Sequence, residues 1–339
     1  MILNREELKQ KLNILGKAYS QKTPQSAFQF VKFDNDTLTM SNGSVVIISK
    51  YKSGIQALIP FKQLNDIVNK LSASELDLTI VDNQAVIKCG LSRFALNLGD
   101  FNEYPNYNVL NDTETLKVNC SEFISVISAI NYACSNNEKR PILTGINFSE
   151  NAVATDSFRL ARVSKDLGLR CTITSDDINN LISILKGSEE VFVRNTKNTA
   201  TFTFDDTIYM TRLLDGSYPD TSRLIASEFL YTIKVDRIKL IESIDRVNIF
   251  NEEYKTIILY VNDNVIKLTS NANQVGDATD VLECESNGDI KFACNGDYLK
   301  EALSKFKGDI ITLNLVSSMK PITIKEDDMV ALVLPVKVE

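Results

Sequence analysis

The stretch LLDGSYPDTSRLI, residues 213–225, repeats a pattern that occurs earlier in LNLGDFNEYPNYNVL, residues 96–110. In each stretch an apolar run leads into an acidic loop, then a Tyr-Pro pair, then a polar turn. The pairs Tyr104-Pro105 and Tyr218-Pro219 are 114 positions apart, which is about the length of one domain. Self-similarity at such a period indicates a repeated structural unit.

Two further patterns recur at a similar spacing. A short extended segment followed by a helix, with apolar residues three and four apart, is predicted at 1–15, 116–130 and 231–247. Steps of 115 residues align Leu8 with Phe123 and Ile238. A second amphipathic helix is predicted in each copy, followed by strands such as those at 190–204, which flank a polar turn. The second helices fall at 59–71, 173–186 and 294–307.

These repeats predict an α+β fold with three tandem copies of a domain that contains two helices and roughly eight strands. The predicted boundaries are 1–112, 113–229 and 230–339. A single long α+β enzyme with meandering sheets is the alternative that the repeats leave open.

Composition excludes several classes of enzyme. The 339 residues include no histidine, so neither Ser-His-Asp nor Cys-His catalysis nor a histidine zinc site is available. The chain has neither a phosphate-binding P-loop motif nor a dinucleotide-binding glycine motif. The six cysteines lack C-x-x-C spacing and are expected to be reduced. We therefore expect no catalytic residue, no bound metal and no cofactor.

The chain reads as a soluble cytoplasmic protein with no membrane partner. Its first residues are charged, and its longest apolar runs are too short to cross a bilayer. The net charge of −7 is unusual for a protein that binds nucleic acid. That objection disappears if basic residues gather on one face of the molecule.

Three similar domains can form an arc, and two chains can close it, because homo-oligomers favour closed symmetry. Twelve helices spaced about 9 Å apart would line a circle about 35 Å across, measured between helix axes. Side chains of about 5 Å at each wall would leave an opening of about 25 Å, wide enough for a DNA duplex. Closure would also remove exposed sheet edges.

Four segments then carry a family resemblance: RPILTGINF (140–148), ATDSFRLA (154–161), LLDGSYPDTSRLI (213–225) and VLPVKV (333–338). Together they resemble the bacterial DNA polymerase III beta subunit, the sliding clamp, over the whole chain. The resemblance implies the DNA clamp fold, with each chain forming half of a ring. It implies a head-to-tail homodimer that encircles double-stranded DNA without sequence specificity and catalyses nothing. It also implies that DNA polymerase, clamp loader and repair proteins bind through short peptides with Leu and Phe.

The resemblance also implies a partner-peptide pocket in the cleft between the second and third domains. In that setting Asp156 belongs to a strand and turn of the pocket wall rather than to a catalytic site. Phe158 replaces a polar ring, and Lys337 and Glu339 add charge near the pocket, so partner preference can differ from that of relatives. The pocket residues would be Arg140, Leu143, Thr155, Ser157, Leu160, Pro219, Arg223, Leu224, Met319, Pro321, Leu332, Leu334, Pro335 and Val336.

Two further surfaces follow from the resemblance. The ring interface would join the first domain of one chain to the third domain of the other, through Phe94, Leu96, Ile249 and Phe250. DNA would be met through its phosphates by basic residues on helices and their flanks, which supply a collective field. The DNA-facing residues would be Lys9, Lys22, Lys70, Lys139, Arg246 and Lys305.

Two functions of other classes remain as alternatives. Clustered acids at 176–177, 205–206 and 326–328 could serve a metal-dependent nuclease. Their positions at a helix start and in hairpin turns favour structural roles instead. A β-rich scaffold that never meets DNA is the other alternative.

Overall fold

The computed structural model describes residues 1–23, 25–107, 115–250, 255–270 and 276–337. Within these ranges each α-helix begins directly after a strand, and most begin at an Asn or Asp cap. The side chains of Asn4 and Asp236 accept hydrogen bonds from the third helical amide, at 3.0 and 2.9 Å. The helices are α1 (Arg5–Leu15), α2 (Phe61–Lys70), α3 (Cys120–Ile130), α4 (Ser175–Ile184), α5 (Arg237–Asn248) and α6 (Gly296–Leu303).

The strands follow in three groups along the chain. The first group is β1 (Ile2–Asn4), β2 (Phe30–Asp34), β3 (Thr37–Ser41), β4 (Val45–Lys50), β5 (Gln56–Pro60), β6 (Glu75–Val81), β7 (Gln84–Cys89) and β8 (Ser92–Asn97). The second group is β9 (Leu116–Asn119), β10 (Gly145–Phe148), β11 (Ala152–Thr155), β12 (Arg159–Val163), β13 (Cys171–Thr174), β14 (Glu190–Asn195), β15 (Thr199–Phe204) and β16 (Thr207–Arg212). The third group is β17 (Tyr231–Asp236), β18 (Thr256–Asn262), β19 (Val265–Ser270), β20 (Thr279–Glu283), β21 (Glu285–Ser286), β22 (Ile290–Asn295), β23 (Ile310–Leu315), β24 (Ile322–Glu326) and β25 (Met329–Val333).

These strands form antiparallel sheets in two compact units. One unit combines residues 1–122 with 176–213 and contains the sheets β5-β2-β3-β4-β16-β15-β14-β9 and β1-β6-β7-β8. The other combines 123–175 with 214–339 and contains β13-β10-β11-β12-β25-β24-β23-β17-β21 and β20-β19-β18-β22. The elements therefore repeat three times along the chain, with two helices and eight or nine strands in each copy, as the sequence repeats predict. The predicted 112/113 boundary lies outside the described residues.

Each unit owes its long sheet to pairing between strands of successive copies. In the first unit β4 pairs with β16, where the Ser49 and Thr207 hydroxyls are 3.2 Å apart. In the second unit β12 pairs with β25 along its whole length, from Arg159 opposite Val333 to Val163 opposite Met329. The sheets therefore continue from one copy to the next and leave no open edge at these two junctions.

The repeated Tyr-Pro pair has a similar structural role in both copies. Tyr104 is 3% exposed, and its hydroxyl donates to the Thr39 carbonyl in β3 at 3.5 Å. The Tyr218 hydroxyl accepts from the Thr155 amide in β11 at 3.0 Å. Burial raises the pKa of both tyrosines. Each hydroxyl thus bonds to the backbone of the second strand of a four-strand segment, β3 in one copy and β11 in the next.

The predicted constant step of 115 residues is wrong for the third copy. Helices α1, α3 and α5 begin at positions 5, 120 and 237, so the second step is two residues longer. Ile238, which the constant step aligns with the buried Leu8 and Phe123, is 46% exposed. Leu240 occupies the equivalent buried position. The physical reason is strand length, since β17 has six residues and β9 has four.

All six cysteines are free, as predicted. None of the helices in the described part of the chain is both long enough and apolar enough to span a membrane.

Candidate functional site

The candidate site is built around the turn that joins β11 to β12. The Thr155 hydroxyl donates to the Arg159 carbonyl at 2.6 Å, and Asp156 Oδ1 accepts from the Phe158 and Arg159 amides at 2.8 and 2.9 Å. Short polar side chains bond readily to nearby backbone, which is why this sequence forms a tight turn. The turn places Ser157 in the left-handed region, with φ 81°. Asp156 is therefore committed to holding the turn.

An apolar cavity of about 130 Å³ lies beside this turn. Its floor contains Leu160 and Leu332, which are directly opposite each other in the β12–β25 pair and almost fully buried. Leu224 at the rim is 51% exposed, so an apolar surface stays open to solvent. The lining residues are Thr155, Ser157, Arg159, Leu160, Leu224, Pro321, Leu332 and Leu334.

A larger groove of about 830 Å³ adjoins the cavity and shares Ser157 and Arg159 with it. Its other walls come from the segment after α3, from Phe158, and from α6 with the residue before it. Most of these side chains are polar or charged. They are Cys134, Ser135, Asn136, Asn137, Arg140, Leu143, Asp156, Phe158, Asn295, Asp297, Tyr298 and Glu301.

Arg159 lies at the junction of cavity and groove, and its side chain is only 10% exposed. Its Nε is 2.9 Å from Asp156 Oδ2, and a terminal nitrogen contacts the Glu301 carboxylate on α6. The guanidinium lies over the ring of Tyr298 at 4.4 Å and over that of Tyr132 at 5.5 Å. Two carboxylates and two rings thus compensate a buried cation, and they tie α6 to β12.

The segment after β25 closes one side of the site. The Leu334 amide donates to the Phe158 carbonyl at 2.9 Å, and the Val336 amide donates to the Ala293 carbonyl in β22 at 2.8 Å. Phe158 is 60% exposed beside this segment. Lys337 is exposed as well, whereas Glu339 lies outside the described residues.

The structure brings together nine of the fourteen predicted pocket residues. Seven line the apolar cavity, and Arg140 and Leu143 line the groove. Five line neither: Pro219, Arg223, Met319, Pro335 and Val336. The sequence prediction missed Arg159 and eight other residues of the groove: Cys134, Ser135, Asn136, Asn137, Asn295, Asp297, Tyr298 and Glu301. The spacing of Asp297 and Glu301, four residues apart on a predicted helix, would have placed both on one face.

The predicted DNA-facing residues lie on or beside helices. Lys9, Lys70 and Arg246 belong to α1, α2 and α5, whereas Lys22, Lys139 and Lys305 lie in the turns and loops that follow helices. Two have partners of their own. Arg246 forms an ion pair with Asp280 at 2.6 Å, and the Lys305 amine lies 5.8 Å from the Tyr132 ring centre.

The predicted interface residues lie near two sheet edges. Phe94 and Leu96 are half-buried in β8, the outermost strand of β1-β6-β7-β8. Ile249 directly follows α5 and is 75% exposed, whereas Phe250 is half-buried. Helix α5 packs against β20, the outermost strand of the other four-stranded sheet.

The acidic pairs that suggested a nuclease have structural positions. Asp176 and Asp177 lie in the first turn of α4, where they face the positive end of the helix dipole. Asp205 and Asp327 have φ 43° and 48° in the hairpins β15–β16 and β24–β25. Within the described ranges no three acidic or cysteine side chains converge as metal ligands.

Comparison with known proteins agrees with this architecture. Models of the DNA polymerase III beta subunit match the chain in order: the N-terminal domain at 7–108, the central domain at 117–220 and the C-terminal domain at 222–337. The beta sliding clamp of Staphylococcus aureus (strain Mu50 / ATCC 700699) is 27% identical over 318 residues, covering 88% of this chain and 84% of that protein. The crystal structure of DNA polymerase III, beta chain, from Streptococcus pneumoniae TIGR4 has a TM-score of 0.93 and 25% identity over 99% of each chain. The DNA polymerase sliding clamp of Bacillus subtilis shares the fold, with a TM-score of 0.92 and 23% identity over 100% of this chain and 99% of that chain. The chain therefore belongs to the DNA polymerase III beta subunit family, the bacterial beta sliding clamps.

Proposed function

We propose that this sliding clamp acts as a ring of two chains joined head to tail around duplex DNA. In this proposal it works in the cytoplasm as a processivity factor, without catalysis of its own. The arrangement of strands carries this proposal. The first and second copies are joined by β4 with β16, and the second and third by β12 with β25. The second copy therefore pairs with its two neighbours through two different strands, β16 and β12. By the same pattern, β20 of the third copy and β8 of the first copy remain for a junction with another chain. Pairing β8 of one chain with β20 of the other, at both ends, closes a ring.

The domain boundaries proposed for this ring are 1–112, 113–229 and 230–339. Side chains near the two open edges support the junction. Phe94 and Leu96 are two positions apart in β8, so their side chains share one face of the strand. Ile249 is an exposed apolar residue beside the other edge. Open strand edges and exposed apolar groups both gain from being covered.

DNA binding in this proposal is electrostatic and independent of sequence. Basic residues on the helices would attract phosphates, whose contacts position a protein without reading bases. The affinity should fall steeply with salt, because each neutralised phosphate releases counterions. Ring closure, rather than affinity, would keep the protein on DNA.

Partners, in this proposal, dock in the apolar cavity beside the β11–β12 turn. Its Leu160 and Leu332 floor and the exposed Leu224 suit Leu and Phe side chains from a short peptide. DNA polymerase, clamp loader and repair proteins are the partners that the family implies. The polar groove beside the cavity would accept the flanking residues of such a peptide.

A topological capture experiment tests the ring. The protein is mixed with linear duplex DNA that carries biotin at both ends, streptavidin then blocks the ends, and the complex is washed at high salt. A ring remains on the DNA through the wash and is lost when a restriction enzyme cuts the duplex. Adding streptavidin before the protein is the control and should prevent capture. Equal loss from intact and cut DNA at high salt would contradict encirclement.

A further inference from the structure

We propose that Ser157 is a positioning residue that holds Arg140 in the groove, where its guanidinium pairs with a carboxylate next to the apolar anchors of a partner peptide. This inference rests on the peptide-binding function proposed above. It adds a preference for acidic flanking residues and names the two side chains that would create it.

The backbone at Ser157 is the first observation. Its φ of 81° lies in the left-handed region, which residues other than glycine, asparagine and aspartate seldom adopt. The residue lines both the apolar cavity and the polar groove, so it forms the ridge between them. Unfavourable backbone conformations persist where the surroundings impose them, and they cluster at binding sites.

The hydroxyl of Ser157 is the second observation. Its Oγ accepts a hydrogen bond from the Arg140 guanidinium at 2.9 Å. Because the acceptor is neutral, the bond orients the guanidinium without cancelling its charge. Arg140 makes no ion pair with any described residue, whereas Arg159 on the same groove contacts both Asp156 and Glu301. Arg140 is thus the lining cation whose charge stays available.

The chemistry of the groove indicates the ligand. A guanidinium binds a carboxylate through parallel N–H donors, and it does so more strongly than it binds a neutral oxygen. Helix α6 presents Asp297 and Glu301 to the groove, and these carboxylates disfavour an anion on that side. A peptide carboxylate therefore gains most beside Arg140.

The test uses two short fluorescein-labelled peptides with the same Leu-Phe anchors. One has Asp at the positions flanking the anchors on both sides, and the other has Asn there. Fluorescence anisotropy with the full chain gives the affinity for each. We expect the Asp peptide to bind roughly fivefold more tightly, and we expect this ratio to shrink with added salt.

Four single variants and one double variant separate a positioning role from a purely structural one. Arg140→Gln should reduce the ratio to about one. Ser157→Ala and Ser157→Gly should both lower the ratio, because each removes the hydroxyl acceptor, although only Gly relaxes the backbone. Ser157→Asn should keep the ratio close to that of the wild-type chain, because asparagine tolerates positive φ and offers a carbonyl acceptor. In the double variant Arg140→Gln/Ser157→Ala, the serine change should have no further effect on the ratio.

The outcomes distinguish this inference from the function on which it rests. If the wild-type chain binds both peptides equally, or if Ser157→Ala keeps the full ratio, the inference is wrong while peptide docking stands. If neither peptide binds the wild-type chain, the proposed docking site itself fails.

Discussion

Leu224 shows how a single side chain can belong to a site without belonging to the core. It is 51% exposed at the rim of the apolar cavity, whereas Leu160 and Leu332 on the floor are almost fully buried. Truncating a floor residue would damage folding and binding together. Truncating Leu224 separates the two effects.

We predict that Leu224→Ala lowers the affinity for a Leu-Phe peptide about tenfold, because an apolar contact of this size contributes about 1.4 kcal/mol. The free energy of unfolding should change by less than about 0.5 kcal/mol, as is usual at exposed positions. Anisotropy and urea unfolding measure the two quantities. The matched control is Leu230→Ala, at a leucine that is 69% exposed and does not line the cavity. Equal loss of affinity in both variants would contradict a localised site.

Thiol reactivity provides a second prediction at the scale of single residues. Burial raises the pKa of Cys134 and of Cys294 to about 12, so at pH 8 almost none of either thiol is ionised. We expect iodoacetamide to modify the half-buried Cys89 of the native chain well before these two. Peptide mass spectrometry after timed quenching measures the order, and urea-unfolded protein, with all six thiols reacting alike, is the control. Native labelling of Cys294 as fast as Cys89 would show that its environment is open.

At the scale of elements, the pair β12 and α6 depends on one buried arginine. Arg159 forms an ion pair with Asp156, whose side chain is only 11% exposed, and it contacts Glu301 across the groove. Removing one partner of a buried pair leaves the other charge desolvated, which costs more than the pair itself contributes.

We therefore expect Arg159→Ala to lower the free energy of unfolding by about 3 kcal/mol. The control is Arg246→Ala, because Arg246 is also ion-paired but its side chain is 54% exposed, and its loss should cost less than about 1 kcal/mol. Urea titrations followed by circular dichroism compare the two variants. Similar small losses for both would mean that solvent already screens the Arg159 cluster.

The start of α5 gives another prediction about an element. The Asp236 carboxylate accepts the Lys239 amide at 2.9 Å and so caps the helix. Asp236→Ala should cost about 1 kcal/mol of unfolding free energy, whereas Asp236→Asn keeps an acceptor and should cost a few tenths at most. Urea unfolding of the two variants is the measurement. If alanine and asparagine behave alike, the cap does not stabilise α5.

For the whole molecule, the decisive feature is that two sheets are long and two are short. The long sheets arise where strands of successive copies meet, and the four-stranded sheets end at β8 and β20. In the proposed ring, a second chain would complete this pattern by pairing β8 of one chain with β20 of the other.

We predict that Leu96→Lys on β8 converts the proposed dimer into a monomer, because it would place a charge in the proposed junction with the second chain. Sedimentation velocity over a range of concentrations measures the mass. Val81→Lys is the control, since Val81 is 50% exposed at the end of β6 rather than on the edge strand. A wild-type chain that is monomeric at every concentration would overturn the ring.

Sequence reasoning was most accurate where the determining interactions are local. The second helix of each copy, the turn between β14 and β15 and the helix-start position of Asp176 all follow from spacing and capping within a few residues. The alignment of Ile238 failed because a longer strand shifted the helix that follows it, and a fixed period cannot register such a change. Family resemblance placed seven of the eight residues around the apolar cavity. It missed Arg159, whose charge is compensated by residues distant in sequence.

The sequence by itself determined the threefold repeat, the helices, and the lack of histidine chemistry, because each depends on residue type and short spacing. Only the tertiary structure decided how residues distant in sequence meet at the site. Leu160 and Leu332 are 172 positions apart and meet because β12 pairs with β25, and Arg159 meets Glu301 through the same junction. The physical reason is that sheet pairing between distant strands is set by long-range packing, which local periodicity does not encode.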